Sequence, residues 1–527
     1  MRRKTGSRAE ARRVEPVADT FEERRSRGRS AMSLYGKTAK TGFGKLILAT
    51  ILLLPTVFGE PIKARPNVLI FFADDQRFDT IHALGNPRIQ TPNLDRLVES
   101  GTAFTRAYIM GGSSPAVCMP SRAMLHTGRP LYHIEGIGHS ISEENIMLGE
   151  ALRKEGYNTY GIGKWHSDKE SFNRSFGGGS EIFFGGMCDH WNVPTYRYDQ
   201  SGAYESRIPA CRDPWYSNEL IWRNADRIQA GVHSSDLFSE AAVRFLENYE
   251  SAAPFFLYVS FLAPHDPRTM PEEYRLMYRP DRIELPPNFM GGHPFDNGEL
   301  KIRDEQLEDW PRTPEAIRRH IAEYYGMITH LDSEIGRVVN ALEERGKLDD
   351  TIIVFAGDNG LAVGQHGLMG KQSLYEHSVR VPLVMTGPGI PKNRRSDALC
   401  YLFDLYPTLC ALTDTPVPES VMGKSLVPAM DGAVVRDHLL LAYCHQMRGI
   451  RDERFKLIET VVEGRRTTQL FDLQEDPWEL DNLSGNPAYD RKMENLRGLL
   501  ETFPAHHGDA REQGQIFWKG YFQHKQP

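Results

Sequence analysis

Cys118 lies in the stretch "SSPAVCMPSRAMLHTGR" (residues 113–129), two residues before Pro120 and four before Arg122, in a chain of 527 residues with six cysteines. Proline is tolerated in a first helical turn, because the N–H it lacks has no intrahelical partner there. The segment therefore reads as a helix start, where free backbone N–H groups and Arg122 favour an anion or lower a thiol pKa. Cys118 is then either a reactive nucleophile facing an anion pocket or a buried, bridged cysteine. The stretch alone leaves both readings open.

Two further stretches carry oxygen ligands: "FFADD" ends in Asp74-Asp75, and "VFAGDN" ends in Asp358-Asn359. Brought together, three carboxylates and one amide carbonyl make a hard-oxygen site suited to Ca2+ or Mg2+. Neither pair has His or Cys beside it, which counts against zinc. One Asp-Asp doublet is usually no more than a solvated turn, so the weight lies in the match between the two pairs.

The elements that must position these groups show in the hydrophobic pattern. Val68 to Ala73 is an unbroken apolar run, as in a strand buried on both faces of a parallel sheet. "TPNLDRLVESG" follows as a helix, with Thr91 as its cap, Leu94, Leu97 and Val98 on its buried stripe, and Gly101 as its stop. "NIMLGEALRKEGYNTYGIGKWH", "SSDLFSEAAVRFLENYESAAPFFLYVSFLAPHDP" and "YYGMITHLDSEIGRVVNALEERGKLDDTIIVFAGDNG" each lead a helix pattern into a strand. The alternation predicts an α/β fold, a large, mainly parallel (mixed) sheet sandwiched by helices. Such sheets bind ligands beyond the carboxyl ends of their strands, where both acidic pairs fall. Phe176 to Arg227 breaks the rhythm and reads as an insertion of loops rich in Gly, aromatics and Arg. After residue 432 the texture changes to short strands and a closing helix, predicting a smaller C-terminal α+β subdomain with an antiparallel sheet. The expected organisation is an extension over 1–64, a main domain over 65–432 and the subdomain over 433–527.

A net charge of −7 argues against a nucleic-acid binder, and 25% charged residues with 40% hydrophobic ones exclude a disordered or fibrous chain. Lys37, Lys40 and Lys45 precede an apolar run from Leu46 to about Phe58, the pattern of an export signal. The run is short against the roughly 20 residues of a membrane span, so membrane contact is expected only if this segment is retained as an anchor. The mixed-charge stretch before it is expected to be disordered, with Met32 as an alternative start. The expected location is exported: periplasmic, secreted or lumenal. Cysteines in such compartments tend to pair, and short separations favour Cys188–Cys211 and Cys400–Cys410. Cys118 and Cys444 are left over.

"CMPSRAMLHTGR" resembles the C-x-P-S-R…T-G-R signature of the type I, formylglycine-dependent sulfatases, in the alkaline-phosphatase-like superfamily. The resemblance runs through nearly the whole chain after Arg65. It takes in "NVLIFFADDQ", "TPNLDRL", "GIGKWH", "APHDP", "GDNGLAVGQHGLMGKQSLYEHSVRVPLV" and "RFKLIE…LFDLQEDPWELDNL" in family order. His126 stands where Leu is usual, and Met119 is bulkier than the commonest residue at its place. The resemblance implies that a formylglycine-generating (sulfatase-maturating) enzyme oxidises Cys118 to Cα-formylglycine. The hydrated aldehyde would attack sulfur through one hydroxyl while the alcohol leaves, and its second hydroxyl would lose a proton to expel sulfate. The resemblance also implies one divalent cation, Ca2+ or Mg2+, held by Asp74, Asp75, Asp358, Asn359 and residue 118 and acting as a Lewis acid. Asp358 would help deprotonate the attacking hydroxyl, and Arg122 would stabilise the diol oxygens. Lys164 and His166 would contact diol and sulfate, with His166 the base for sulfate release. His265 and Lys371 would bind sulfate oxygens and assist the departing alcohol. His366 is an outer candidate.

For substrate, the insertion offers His190, Trp191, Tyr196 and Arg197 as a sugar-binding wall, against the alternative that its aromatics pack only on one another. The expected activity is hydrolysis of a sulfate ester of a small molecule or, more specifically, a saccharide. The alternatives are a phosphate or phosphonate monoester hydrolase of the same superfamily, and a secreted binding protein with a decayed site.

Overall fold

The apolar strands predicted from the sequence assemble into one large sheet. In the computed structural model, residues 65–523 are described, apart from 135, 214, 510 and 511. The signal-like segment and the stretch before it lie outside the described residues. In chain order the main elements are β1 (Asn67–Ala73), α1 (Pro92–Ser100), β2 (Gly101–Phe104), α2 (Cys118–Thr127), β3 (Asn158–Lys164) and β4 (Gly178–Phe183). They continue with α3 (Ser234–Glu247), β5 (Phe255–Ser260), α4 (Pro314–Glu344), β6 (Thr351–Gly357), β7 (Leu383–Thr386) and β8 (Arg394–Ser396). The sheet runs β8-β2-β7-β6-β1-β5-β3-β4. β4, β3, β5, β1 and β6 are parallel neighbours, whereas β7 runs against both β6 and β2. The sheet is mixed, as expected, with its antiparallel member on one side.

Alternation along β1 divides the core between the two faces of the sheet. Leu69 and Phe71 pack with Leu94 and Leu97 of α1, Leu237 and Phe238 of α3, and Leu331 and Ile335 of α4. Val68, Ile70 and Phe72 point the other way, into the cluster that holds Met124 and Leu125 of α2. β1 is buried along its whole length, and burying each Leu, Ile or Phe contributes about 1.5–3 kcal/mol.

The C-terminal part forms a second sheet from β9 (His438–Tyr443), β10 (Met447–Asp452), β11 (Phe455–Val462) and β12 (Arg465–Asp472), an antiparallel meander followed by α5 (Asp490–Leu500) and α6 (Glu512–Gln523). β9 also pairs in parallel with Gly111–Gly112, just upstream of α2. Gly111 is required there: its φ is 113°, and a Cβ would fall 1.9 Å from the Ala442 carbonyl oxygen. The C-terminal sheet thus braces the chain that leads to Cys118. No described helix is long and apolar enough to cross a membrane.

Three expectations are corrected. Thr91 does not cap α1 with its side chain; the carboxylate of Asp332 on α4 accepts from the N–H groups of Asn93 and Leu94 instead, at 3.2 and 2.7 Å. Residues 178–183, read as the start of loops, form β4 at the sheet edge. Their glycines hid the strand but suit it, since a Cβ on Gly179 would lie 2.7 Å from the Gly161 carbonyl oxygen. Neither expected disulfide forms, and all six cysteines are unbridged. Cys211 faces solvent on a hairpin strand (Arg207–Cys211), with its Sγ 3.1 Å from the Ser217 carbonyl oxygen, whereas Cys400 and Cys410 are buried as small apolar side chains.

Candidate active site

Strand register brings the two acidic pairs together. Ala73 of β1 lies beside Gly357 of β6, so the next residues, Asp74 and Asp358, leave the sheet side by side. Asp358 N–H donates to the Ala73 carbonyl at 3.0 Å, and Asp75 N–H donates to Asp358 Oδ1 at 3.0 Å. Asp75 adopts a left-handed φ of 68°, a costly conformation that turns its carboxylate back over the strand ends. β3 and β5 end at the same rim, contributing Lys164 and Ser260. α2 starts against this rim.

The cluster is dense and buried. Oxygens of Asp74 and Asp358 and the Cys118 Sγ lie within 4.8 Å of one another, as do ligand atoms of Asp74, Asp75 and His265. Arg122, one turn into α2, donates to Asp358 Oδ2 from Nε (3.0 Å) and Nη2 (2.8 Å), and from Nη1 to the Lys164 carbonyl (3.1 Å) and Ser260 Oγ. Lys164 Nζ bonds Asp74 Oδ2 and lies 3.6 Å from Cys118 Sγ. Lys371 Nζ bonds Asp75 Oδ1 at 2.6 Å and lies 4.0 Å from the same sulfur. His166, also left-handed with φ 59°, sets its Nδ1 3.3 Å from Cys118 Sγ. His265 Nε2 is 3.6 Å from Asp75 Oδ2. Cys118, Asp74, Asp75, Asp358, Asn359, Arg122, Lys164, His166, His265 and Lys371, spread over almost 300 residues of sequence, therefore share one pocket.

Burial dominates the electrostatics. It pushes the Cys118 thiol up, and with the facing Asp74 charge it pushes Asp358 up to about 7. Asp74 goes the other way: burial opposes its charge, but Lys164, His265, Arg122 and Lys371 together hold it well below the usual carboxylate range. Burial, then Lys164 and Arg122, keeps His166 neutral, down to about 2.

The donor set fits a divalent cation. Asp74 Oδ1 and Asn359 Oδ1 are buried without a hydrogen-bond partner, while the Asn359 amide group is spent on Asp75 Oδ1 (2.6 Å) and the Gly360 carbonyl (2.9 Å). Buried oxygens left over in a ring of carboxylates are what a hard cation takes.

The other candidates lie elsewhere. His366 stacks on Tyr375 with ring centres 4.0 Å apart. The proposed sugar wall is mostly packing: Tyr196 is buried against Phe184 and Tyr204, Trp191 meets the His233 ring edge-on, and the Arg197 side chain borders a groove with Glu181, Arg227 and Arg244. His190 is buried too, with Nε2 3.0 Å from the His265 carbonyl oxygen and Nδ1 2.7 Å from Ser234 Oγ, so it braces the His265 backbone. Aromatic composition alone could not tell packing from display.

Sequence reasoning missed Ser260, Gln372 and Asp304. Gln372 accepts from Lys371 N–H at 2.9 Å and donates to Asp304 Oδ2 at 2.7 Å and to the Pro115 carbonyl at 2.9 Å, tying the lysine loop to the approach of α2. Only the position of Gln372 next to Lys371 hinted at this.

A mixed sheet with acidic ligands and an anion-facing helix start at its parallel strand ends defines a hydrolase of the alkaline-phosphatase-like class. Within it the chain belongs to the formylglycine-dependent sulfatase family, a family of sulfuric ester hydrolases: the family described as Sulfatase matches residues 66–415. The C-terminal region of N-sulphoglucosamine sulphohydrolase matches residues 364–505. An arylsulfatase of Clostridium perfringens is 30% identical over 87% of this chain and 98% of its own. An N-acetylglucosamine-6-O-sulfatase of Bacteroides thetaiotaomicron is 26% identical over 86% and 89%. A solved structure holding its substrate D-glucosamine-2-N,6-O-disulfate superposes with a TM-score of 0.65 at 23% identity, over 85% of this chain and 99% of that one, a likeness of fold.

Proposed function

We propose that the chain is an exported sulfatase acting on a carbohydrate sulfate ester, with Cys118 matured to formylglycine by a partner enzyme and calcium as its cation. The observation that carries this reading is the setting of Cys118: unbridged, at a helix start, with two lysine ammonium groups within 4.0 Å and an acidic ring beside it. The saccharide specificity rests on the sugar sulfatase among the relatives, and export rests on the Lys37–Phe58 segment.

A hydrated aldehyde at position 118 supplies two hydroxyls, one to attack sulfur and one to expel sulfate. A cation held by Asp74, Asp75, Asp358 and Asn359 supplies Lewis acidity, and the all-oxygen donor set favours calcium. The chain's own groups do the rest. Lys164 and Lys371 present positive charge to sulfate oxygens. Arg122 holds Asp358 and the start of α2 in fixed relation. His166, neutral and 3.3 Å from the reacting position, accepts a proton there. His265 stands beside Asp75 to donate toward the leaving oxygen.

Mass spectrometry of the tryptic peptide spanning residue 118, combined with a substrate panel, tests the proposal. Loss of sulfur with gain of oxygen at residue 118 is expected, together with faster turnover of sulfated sugars than of aryl sulfates or phosphonate monoesters. An alkylatable thiol in a fully active preparation would overturn the formylglycine reading. Turnover of aryl sulfates alone would overturn the saccharide reading, and a preference for phosphonates would favour the phosphonate hydrolase.

A further inference from the structure

Outside the pocket around Cys118, the described residues hold another compact set of metal-ligating side chains, at the crossing of α3 and α4. His233 is the N-cap of α3 and Asp236 lies in its first turn, while His330 projects from the middle of α4. His330 Nε2 is 3.1 Å from Asp236 Oδ2, His233 Nδ1 is 3.9 Å from the same oxygen, and the three ligand atoms all lie within 4.8 Å of one another. Contacts of 3.1 and 3.9 Å approximate the edges of a tetrahedron around an ion with bonds of about 2.0–2.1 Å. We propose that His233, Asp236 and His330 form a binding site for a borderline divalent transition-metal ion of the zinc class, distinct from the oxygen-ligated site beside Cys118.

Four observations support a site rather than a chance meeting. First, both imidazoles are 1% exposed, whereas the Asp236 side chain is 39% exposed, so the ligands face inward with an open side for entry and for a water as fourth ligand. Second, His233 has the tautomer a ligand needs. Its Nε2–H donates to the Thr269 carbonyl at 2.9 Å, leaving the Nδ1 lone pair on the side of Asp236, which is the outer-partner arrangement that orients metal-bound histidines. That lone pair receives only the Ser235 N–H at 3.2 Å, a contact that a metal would replace. Third, Asp236 Oδ2, the oxygen that faces both ligand nitrogens, is a buried polar atom with no well-aligned hydrogen bond. Fourth, the rings are locked by neighbours: His190 stacks on His233 with planes 8° apart, Trp191 meets its edge, and Tyr274 lies against His330. Two imidazoles and one carboxylate select zinc-class ions over calcium or magnesium. None of the three residues belongs to the Cys118 pocket.

An ion here would tie the start of α3 to the middle of α4. The test uses the full-length protein with calcium in excess, titrated with ZnCl2 by calorimetry and with CoCl2 by visible absorption. One equivalent of zinc is expected to bind with a rise in thermal midpoint, and cobalt is expected to give tetrahedral d–d bands without a sulfur-to-metal band. In His330→Gln, zinc affinity falls at least about 100-fold, while aryl sulfate turnover and the zinc-free thermal midpoint stay at wild-type values. Asp236→Asn gives the same loss, guarding against a fault peculiar to one substitution. Equal zinc binding by wild type and both variants, a thiolate band with cobalt, or no binding at all would overturn the proposal.

Discussion

The guanidinium of Arg122 grips a single oxygen of Asp358, Oδ2, with two hydrogen bonds of 3.0 and 2.8 Å, across 236 positions of sequence. Both side chains are almost completely buried. The pair locks the helix that starts at Cys118 to the end of β6, so nucleophile position and acidic ring are mechanically one unit. Arg122→Ala leaves the Asp358 charge uncompensated in a buried site, which costs about 3–5 kcal/mol. Arg122→Lys restores the charge but not the fork that also reaches Ser260 and the Lys164 carbonyl. Thermal melts should show a lower midpoint for Ala than for Lys, and both should lose roughly 100-fold or more in kcat/KM. Wild-type turnover by Arg122→Lys would show that the fork geometry is not needed.

Gly186 leaves no room beside His166. A Cβ on residue 186 would sit 2.7 Å from His166 Nε2. Gly186→Ala must therefore push the imidazole away from Cys118 or lift the loop. Turnover should fall about tenfold or more, because a shift near 1 Å at a reacting position is costly, while the thermal midpoint should hardly move. Unchanged kcat would mean that the loop yields and the ring does not.

His126, one turn beyond Arg122, is buried among Trp165, Phe176 and Tyr258 with neither ring nitrogen hydrogen-bonded. Burial, and then the Arg122 charge, lowers its pKa to about 3. The unfolded chain titrates it near 6.5, so below that pH the unfolded state binds more protons and stability falls as pH falls, until the folded pKa is reached. The effect is about 2 kcal/mol at pH 5 and vanishes above about pH 7. His126→Leu should remove this pH dependence. Urea unfolding at pH 5 and pH 8 should show the variant's advantage growing at the lower pH; an equal difference at both would contradict a neutral buried imidazole.

Removing the proposed calcium should cost both activity and stability. Binding to the folded state alone contributes about 2.7 kcal/mol at a hundredfold excess over Kd. Exhaustive chelation should lower the thermal midpoint and abolish sulfate release, with calcium restoring both at lower concentration than magnesium. Full turnover after chelation would rule out a catalytic cation.

Much of this architecture was legible in local pattern. The Val68–Ala73 run declared a doubly buried strand because nothing polar interrupts it, and Cys118 declared a helix start through Pro120. β4 was hidden because Gly178 and Gly179 carry no apolar signal, although the close approach of Gly161 is what demands them. Thr91 was a sound cap by type, but α4 carries Asp332 to the same N–H groups and a carboxylate accepts from two of them. The expected disulfides rested on separation along the chain, which says nothing about where a thiol faces.

Sequence by itself determined the kinds of group available: two acidic doublets at strand ends, a cysteine opening a helix, and the matched motifs that carry family membership. Which of the strand-end groups meet was decided by strand register, since pairing Ala73 with Gly357 sets Asp74 beside Asp358, and the parallel order β3-β5-β1-β6 brings Lys164 and Ser260 to the same rim. The tertiary structure also turned His190 and Tyr196 of the insertion inward and brought His330 to His233 and Asp236. The physical reason is common to all of these: residue type and local spacing set what a side chain can do, but long-range packing sets what it faces.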